Sequence, residues 1–368
     1  MAKTVYVGMS GGVDSSVSAL LLKEQGYKVV GVYMKNWSKD LPGMKCPWAE
    51  DLADAKRVAV KLGIDFEVWD FEEAYREKVV EYMLREFRAG NTPNPDIMCN
   101  QEIKFKLFYE KAMEKGADFI ATGHYARVID GKLARAVDEN KDQTYFLYRI
   151  SEEALAHTLF PIGGMMKPEV KKLAEEKGLH NAYKKESMGV CFVGEVGMKD
   201  FLKEYIDAEP GEIREIETEK VLGYHEGAVF YTIGQRHGLY IAAEVPYYVV
   251  KKDVAKNIVY VSRNLNNKEL WTEELKLKDL LLRFGAFRSA AARELAPAAR
   301  GDGPAGRGPE RSGRALNVLV RLRHRAPLSP AILDGNTLKF EHEIKRPASG
   351  QSAVLYDGEI CLGGGIIA

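Results

Sequence analysis

This 368-residue chain is short of several things, and each absence excludes something. No apolar run approaches the ~18 residues that cross a bilayer. The opening MAKTVYVGMSGG has no apolar stretch long enough for a secretory signal. The chain is therefore expected in the cytoplasm, with no membrane partner. Neither sign of charge is in surplus, since 53 Lys and Arg face 53 Asp and Glu. Net charge thus points to no partner, although a local basic stretch still can. Cysteine is scarce: Cys46, Cys99, Cys191 and Cys361, with no C-x-x-C pair. In a reducing compartment these are no disulfide framework, and no metal site is expected from them. Finally, the glycine-rich turn GMSGGVDSS, Gly8 to Ser16, has no lysine. A Walker A loop needs G-x-x-x-x-G-K-[ST], because its lysine reaches the β- and γ-phosphates, and here Val13 follows Gly12. The dinucleotide spacing G-x-G-x-x-G is missing too.

What is present reads as a globular protein, 46% hydrophobic and 29% charged, and too long for one core. The first half alternates strand-like and helix-like runs: TVYVGMS, SSVSALLLKEQGY, KVVGVYMKN, AEDLADAKRVAVKLG, DFEVWDF, EAYREKVVEYMLREFRAG, KFKLFYEKAMEKGA and DFIATGHYA. That βαβα order predicts an α/β Rossmann-like parallel sheet flanked by helices. The glycine ending AEDLADAKRVAVKLG is a helix C-cap. NTPNPDIMCN carries two prolines and reads as irregular. After about residue 200 the pattern changes to short β-like runs and turns, with YYVVKKDVAKNIVYVS reading as a hairpin. The expected organisation is a catalytic domain over 1–203, a small central β-rich domain over 204–267, and a C-terminal β-barrel over 268–368. A tract near 285–314, rich in Ala, Arg, Gly and Pro, buries too little to pack and reads as a mobile loop. From Arg283 to Arg325 there are ten Arg and three acidic residues, which is either a solvated surface or an RNA contact.

The turn S-G-G-x-D-S still has what holds phosphate at a helix N-terminus: backbone N–H groups, hydroxyls and two glycines. Capping alone would need fewer such groups. Ser10-Gly11-Gly12-Val13-Asp14-Ser15 resembles the loop of the N-type ATP pyrophosphatases, which cleave ATP between its α- and β-phosphates. On that resemblance the loop grips departing pyrophosphate, and no γ-phosphoryl is transferred.

Six further segments occur in order: NTPNPDIMCNQEIKF, ATGHYAR, KDQTYFLY, ESMGVCFVGE, FYTIGQRHGL and SGQSAVLYDGEICLGGGII. Together with the turn they resemble the tRNA-specific 2-thiouridylase family over nearly the full length, except from about Phe284 to Arg314. The resemblance implies ATP as cofactor, with Mg2+, and tRNA and a persulfide-donating protein as partners. It implies catalytic roles for Cys99 and Cys191, which lie in Pro- or Gly-punctuated segments read here as loops. Cys191 receives sulfur as a persulfide, and Cys99 is the nucleophile that releases it. A reactive thiolate needs a nearby cation or N–H donors, and Lys104 is the candidate nearest in sequence. Cys361, in a β-like tail, reads as a buried small residue, and Cys46 stays open.

The resemblance also carries over an ATP site of Gly8, Met9, Ser10, Gly11, Gly12, Val13, Asp14 and Ser15, with Met34 and Gly123 beside the adenosine. For tRNA it carries over Asn94, Pro95, Asp96, His124, Lys141, Asp142, Gln143, Arg323, His324 and Gln351, with the target base flipped toward Asn94–Asp96. The family has Tyr where His324 stands. Arg321, Arg323 and Arg325 alternate, and on a strand they form one phosphate-facing stripe. Two other readings remain at this point. One is a different pyrophosphatase that adenylates a small metabolite. The other is a non-catalytic RNA-binding module.

Overall fold

A computed structural model of the chain describes residues 2–40, 46–185, 197–241, 245–283 and 315–368. Cys191 and the tract near 285–314 lie outside the described residues.

The N-terminal part is built on β1 (Thr4–Gly8), β2 (Lys28–Lys35), β3 (Asp65–Asp70) and β4 (Phe119–Ala121). A hairpin of β5 (Ala126–Ile129) and β6 (Lys132–Arg135) follows, and then the short β7 (Thr158–Leu159). The sheet is parallel, in the order β3-β2-β1-β4-β7. β1 and β2 are buried almost throughout, as strands covered on both faces must be. Helices α1 (Val13–Glu24) and α2 (Trp48–Leu62) cover one face, with Val17, Leu20, Ala55 and Val58 packing onto Val5 and Val7. Helical segments over 72–88 and 95–114 cover the other, with Met83, Ile103 and Phe108 packing near Tyr6 and Val32. α2 ends on Gly63 in the left-handed conformation, φ 58°, the C-cap expected from its glycine. Strand order reverses between β1 and β4, so the turns after these strands open onto one crevice.

The central part is a four-stranded sheet of β8 (Gly211–Glu215), β9 (Val221–His225), β10 (Tyr248–Asp253) and β11 (Ile258–Ser262), in the order β10-β11-β8-β9. The expected hairpin is the antiparallel β10–β11 pair. The C-terminal part comprises β12 (Trp271–Leu282), β13 (Leu316–Arg321), β14 (Ser329–Asp334), β15 (Thr337–Lys345), β16 (Ser352–Asp357) and β17 (Ile360–Ile367). They pair as β12-β15-β14-β13-β16-β17, and β12 pairs back with β17, which closes a six-stranded barrel. Its interior is filled by residues such as Leu277, Val318, Val320, Leu338 and Leu355.

Two local expectations are corrected. The segment around NTPNPDIMCN is not wholly irregular, because a helical turn starts at Pro95. Proline is harmless at that first position, where its missing N–H would have no intrahelical partner. Asn94 caps it, its side-chain oxygen accepting from Asp96 N at 3.1 Å. Cys99 therefore opens the next helical segment rather than sitting in a loop. The basic stripe is also absent. β13 ends at Arg321, which is buried, and Arg323 and Arg325 follow in a bend and turn, Arg325 with φ 63°.

Candidate active site

The glycine turn leaves β1 at the reversal point and enters α1 with Gly12 as N-cap. Met9 and Val13 bury their side chains, so only their backbones can face a ligand. Gly11 has φ 78°, and a Cβ there would lie 2.4 Å from the carbonyl oxygen of Asp51 on α2. Only glycine satisfies both constraints. Gly12 differs: its φ is −83°, and a Cβ would meet only Ser10 Oγ, at 3.4 Å. Serine hydroxyls line the turn. Ser15 Oγ accepts from Ser10 N at 3.2 Å and lies 3.3 Å from Ser10 Oγ, while Ser16 Oγ donates to Gly12 O at 2.8 Å. The first N–H groups of α1 have no intrahelical partner and carry the positive end of the helix dipole. An anion is the ligand this geometry suits.

The predicted neighbours of the turn come together. A Cβ on Gly8 would meet Met34 Cε at 2.9 Å, so Met34 covers the end of β1. A Cβ on Gly123 would lie 2.6 Å from Ser15 N and 2.8 Å from Asp14 C. The turn after β4 thus rests directly against the first turn of α1.

Sequence reasoning missed three residues here. Lys167, buried, places Nζ 2.7 and 2.8 Å from the two carboxylate oxygens of Asp14. Tyr125 donates to the same carboxylate at 3.0 Å. Asn181, also buried, donates through Nδ2 to Gly11 O and to Ser16 Oγ, each at 2.9 Å. The turn has a lysine after all, supplied from another element, and Asp138 holds that lysine's backbone N–H at 3.0 Å. The one available signal was Lys167 lying between apolar segments before a proline, which is too common to read.

The second group lies around Cys99. It opens a nine-residue π-helical segment, Cys99–Leu107, and is buried. Asp96 precedes it by three residues and is half-buried. Burial raises its carboxyl above the usual range, and Lys104 partly opposes that. His124 is buried against Phe105, with ring centroids 5.8 Å apart, and its Nδ1 lies 2.8 Å from Thr122 Oγ1. Burial, and then the charge of Lys104, hold it neutral, well below the usual histidine range. The loop ahead of Asn94 is clamped by the other two parts of the chain. Gln351 donates to Thr92 O at 2.7 Å, Thr92 N donates to Ser349 O at 2.7 Å, and the hydroxyls of Thr92 and Thr232 lie 3.4 Å apart.

The remaining residues expected at tRNA divide in two. Lys141 is half-buried, and Arg323 is exposed. Gln143 is tied to the 122–126 turn, its side chain accepting from Tyr125 N at 2.9 Å. His324 lies against Phe146, with centroids 4.5 Å apart, and burial holds it down at about 4, so at neutral pH it is an uncharged ring. Asp142 lies inside. It is buried, with its carboxylate on Arg321 Nη1 at 2.6 Å and on Thr144 Oγ1 at 2.9 Å. An ion pair so enclosed fixes the 141–143 segment to the end of β13. Cys46 and Cys361 are also buried, and burial raises both thiols, that of Cys361 to about 11.

Comparison with known proteins gives three family matches: "tRNA methyl transferase HUP domain" over residues 3–195, "tRNA methyl transferase PRC-barrel domain" over 199–263, and "Aminomethyltransferase beta-barrel domain" over 307–367. Among individual relatives, the tRNA-specific 2-thiouridylase MnmA of Proteus mirabilis is 46% identical over 380 residues, 99% of this chain and 97% of that protein. The protein of that name from Exiguobacterium sibiricum is 44% identical over 374 residues, 99% and 93% of the two chains. That from Shewanella amazonensis is 45% identical over 379 residues, 100% and 94%. Among solved structures, partial alignments are found. A 4-thiouridine synthetase–RNA complex covers 50% of this chain and 43% of the other, at 18% identity and a TM-score of 0.36, too loose to bear on function.

Proposed function

The chain belongs to the tRNA-specific 2-thiouridylase family, and from that premise we propose that it replaces the C2 oxygen of the tRNA wobble uridine with sulfur, consuming one ATP. The observation that carries this reading is the anion cradle at the strand-order reversal, walled by Gly123 and braced by Lys167 and Asn181. ATP enters as its magnesium complex, which is substrate rather than a resident metal. Asp14 is the carboxylate nearest the cradle, and Lys167 engages both its oxygens.

Uracil O2 is a poor leaving group. Its attack on the α-phosphorus of ATP forms an O-adenylyl uridine and expels pyrophosphate. The α1 N-terminus and the serine hydroxyls suit the charge that builds on the departing group. The terminal sulfur of a persulfide on Cys191, loaded by a donor protein, then attacks C2 and displaces AMP. Cys99 as thiolate cleaves the resulting S–S bond. This leaves C2=S and a Cys99–Cys191 disulfide, which an external dithiol reduces. Asn94 and Asp96, at the start of the helical run that leads into Cys99, are proposed to hold the uracil edge while Cys99 acts on the attached sulfur. Lys141, Gln143, Arg323, His324 and Gln351 are proposed as the surrounding tRNA surface, with Asp142 as their internal anchor.

Methyl transfer, the wording of two of the matched domain descriptions, would release no pyrophosphate. Pyrophosphate release therefore tests the proposal. It should require ATP and tRNA together, and release driven by small metabolites without tRNA would refute it.

A further inference from the structure

We infer that Lys104 is a positioning residue that holds Cys99 in its thiolate form, through a juxtaposition that only the π-helical segment creates. The inference rests on the sulfur-transfer reading above.

In an α-helix, residues five apart lie about 140° apart around the axis, so Lys104 would point away from Cys99. In the π-helical stretch Cys99–Leu107, one turn closes on i→i+5 bonds, as where Phe108 N–H meets Ile103 O. Residues five apart then stack one turn above another, and Cys99 and Lys104 are such a pair. The surroundings agree. Neighbouring Phe105 lies against His124, so this part of the helix faces the site. Lys104 is half-buried, and among the described residues no carboxylate lies within ion-pairing distance of it. The other cations on this segment are committed outward: Lys106 to Glu102 at 3.2 Å, and Lys78 of the neighbouring helix to Glu102 at 3.8 Å.

Among the described residues, the groups around the pair point to Lys104 as its positive charge. His124 is neutral, and Asp96, three residues before Cys99, is shifted toward its neutral acid. From the other packed elements, Arg149 bonds Gln101, and Glu153 lies 3.3 Å from Tyr109. A buried thiol without such a charge is driven toward its inert form, as Cys46 is, where burial raises the thiol and no cation opposes it.

The test is the pH dependence of thiolate ultraviolet absorbance, taken as full-length enzyme minus its Cys99→Ser counterpart, in the wild-type, Lys104→Met and Lys104→Arg backgrounds. Lys104→Met should raise the Cys99 midpoint by about one pH unit, a roughly tenfold loss of thiolate at neutral pH. Lys104→Arg should stay near wild type. A Lys104→Met curve that overlays wild type would overturn the inference, and so would an Arg variant that shifts as far as Met. The measurement needs neither ATP nor tRNA. Its failure is therefore distinct from failure of the thiolation reading, which wild-type product analysis decides.

Discussion

The two adjacent glycines of the turn should fail in different ways when changed to alanine. Gly11→Ala meets two obstacles. Its φ of 78° costs a residue with a Cβ about 1–2 kcal/mol. The new Cβ would sit 2.4 Å from the carbonyl oxygen of Asp51 and 3.0 Å from its carbon. Those atoms are backbone, so α2 or the turn must move, at about 1–3 kcal/mol for an overpacked site. The sum is about 2–5 kcal/mol, or roughly 5–15 °C in Tm for a unit of this size. Gly12→Ala meets only the flexible Ser10 Oγ at 3.4 Å, and its φ of −83° suits any residue. It should lose under about 1 kcal/mol, the difference between Gly and Ala at an N-cap. Its Cβ would, however, stand in the open space that the cradle offers to phosphate. The assay is thermal unfolding with and without a non-hydrolysable ATP analogue, beside calorimetric titration. Gly11→Ala should lower Tm without ligand. Gly12→Ala should keep Tm but lose most of the ATP-induced rise, with affinity down at least about tenfold, since one displaced charged hydrogen bond is worth about 1.5–3 kcal/mol. A Gly12→Ala protein with wild-type affinity would refute the placing of the phosphate, and a Gly11→Ala protein with wild-type Tm would refute the close approach of α2.

Two further outcomes are expected. Arg321→Met removes the closer ion-pair partner of the buried Asp142 carboxylate, at 2.6 Å, and leaves only Arg135 Nε at 3.7 Å, which should cost up to about 3 kcal/mol in chemical denaturation; an Asp142→Asn/Arg321→Met double variant should recover part of that loss, and strict additivity would deny the pair. His324 has its folded-state pKa near 4, below its ordinary 6.5, so the unfolded chain binds more protons and stability falls as pH drops from 6.5 toward 4. Allowing for partial exposure, urea unfolding at pH 5 should show about 1 kcal/mol of that loss in wild type and none of it in His324→Tyr, and equal losses would remove His324 as the cause.

The parallel sheet was legible because its strands and helices keep their own periods and because Gly63 marks a helix end. The phosphate turn was legible because Gly11 and Gly12 are local signals. Lys167 and Asn181 were not, since they reach the turn from more than 150 residues away through packing that no periodicity encodes. The site of Cys99 was misread as a loop because two prolines look like breakers, whereas Pro95 occupies a helix start that tolerates it. The π-helical register around Cys99 leaves no trace in the apolar pattern, so the sequence could name Lys104 only as the nearest cation and not the register proposed to bring it to Cys99. Arg321 read as one of an alternating stripe, because alternation does not reveal that a strand ends there or that a buried Asp142 waits 179 residues away. The β5–β6 hairpin belongs by sequence to the first domain, yet Ala134 pairs with Ile360 of the barrel and Arg127 bonds Glu359 at 2.6 Å. Such contacts between distant segments carry the clamp on the Thr92 loop as well.

Mass spectrometry of tRNA nucleosides after incubation with ATP, a persulfide donor and a dithiol tests the central claim most directly. The account predicts 2-thiouridine at the wobble position with wild type, and none with Cys99→Ala or Cys191→Ala, although both variants still bind ATP. A methylated uridine, an unmodified one, or normal thiolation by either cysteine variant would contradict it.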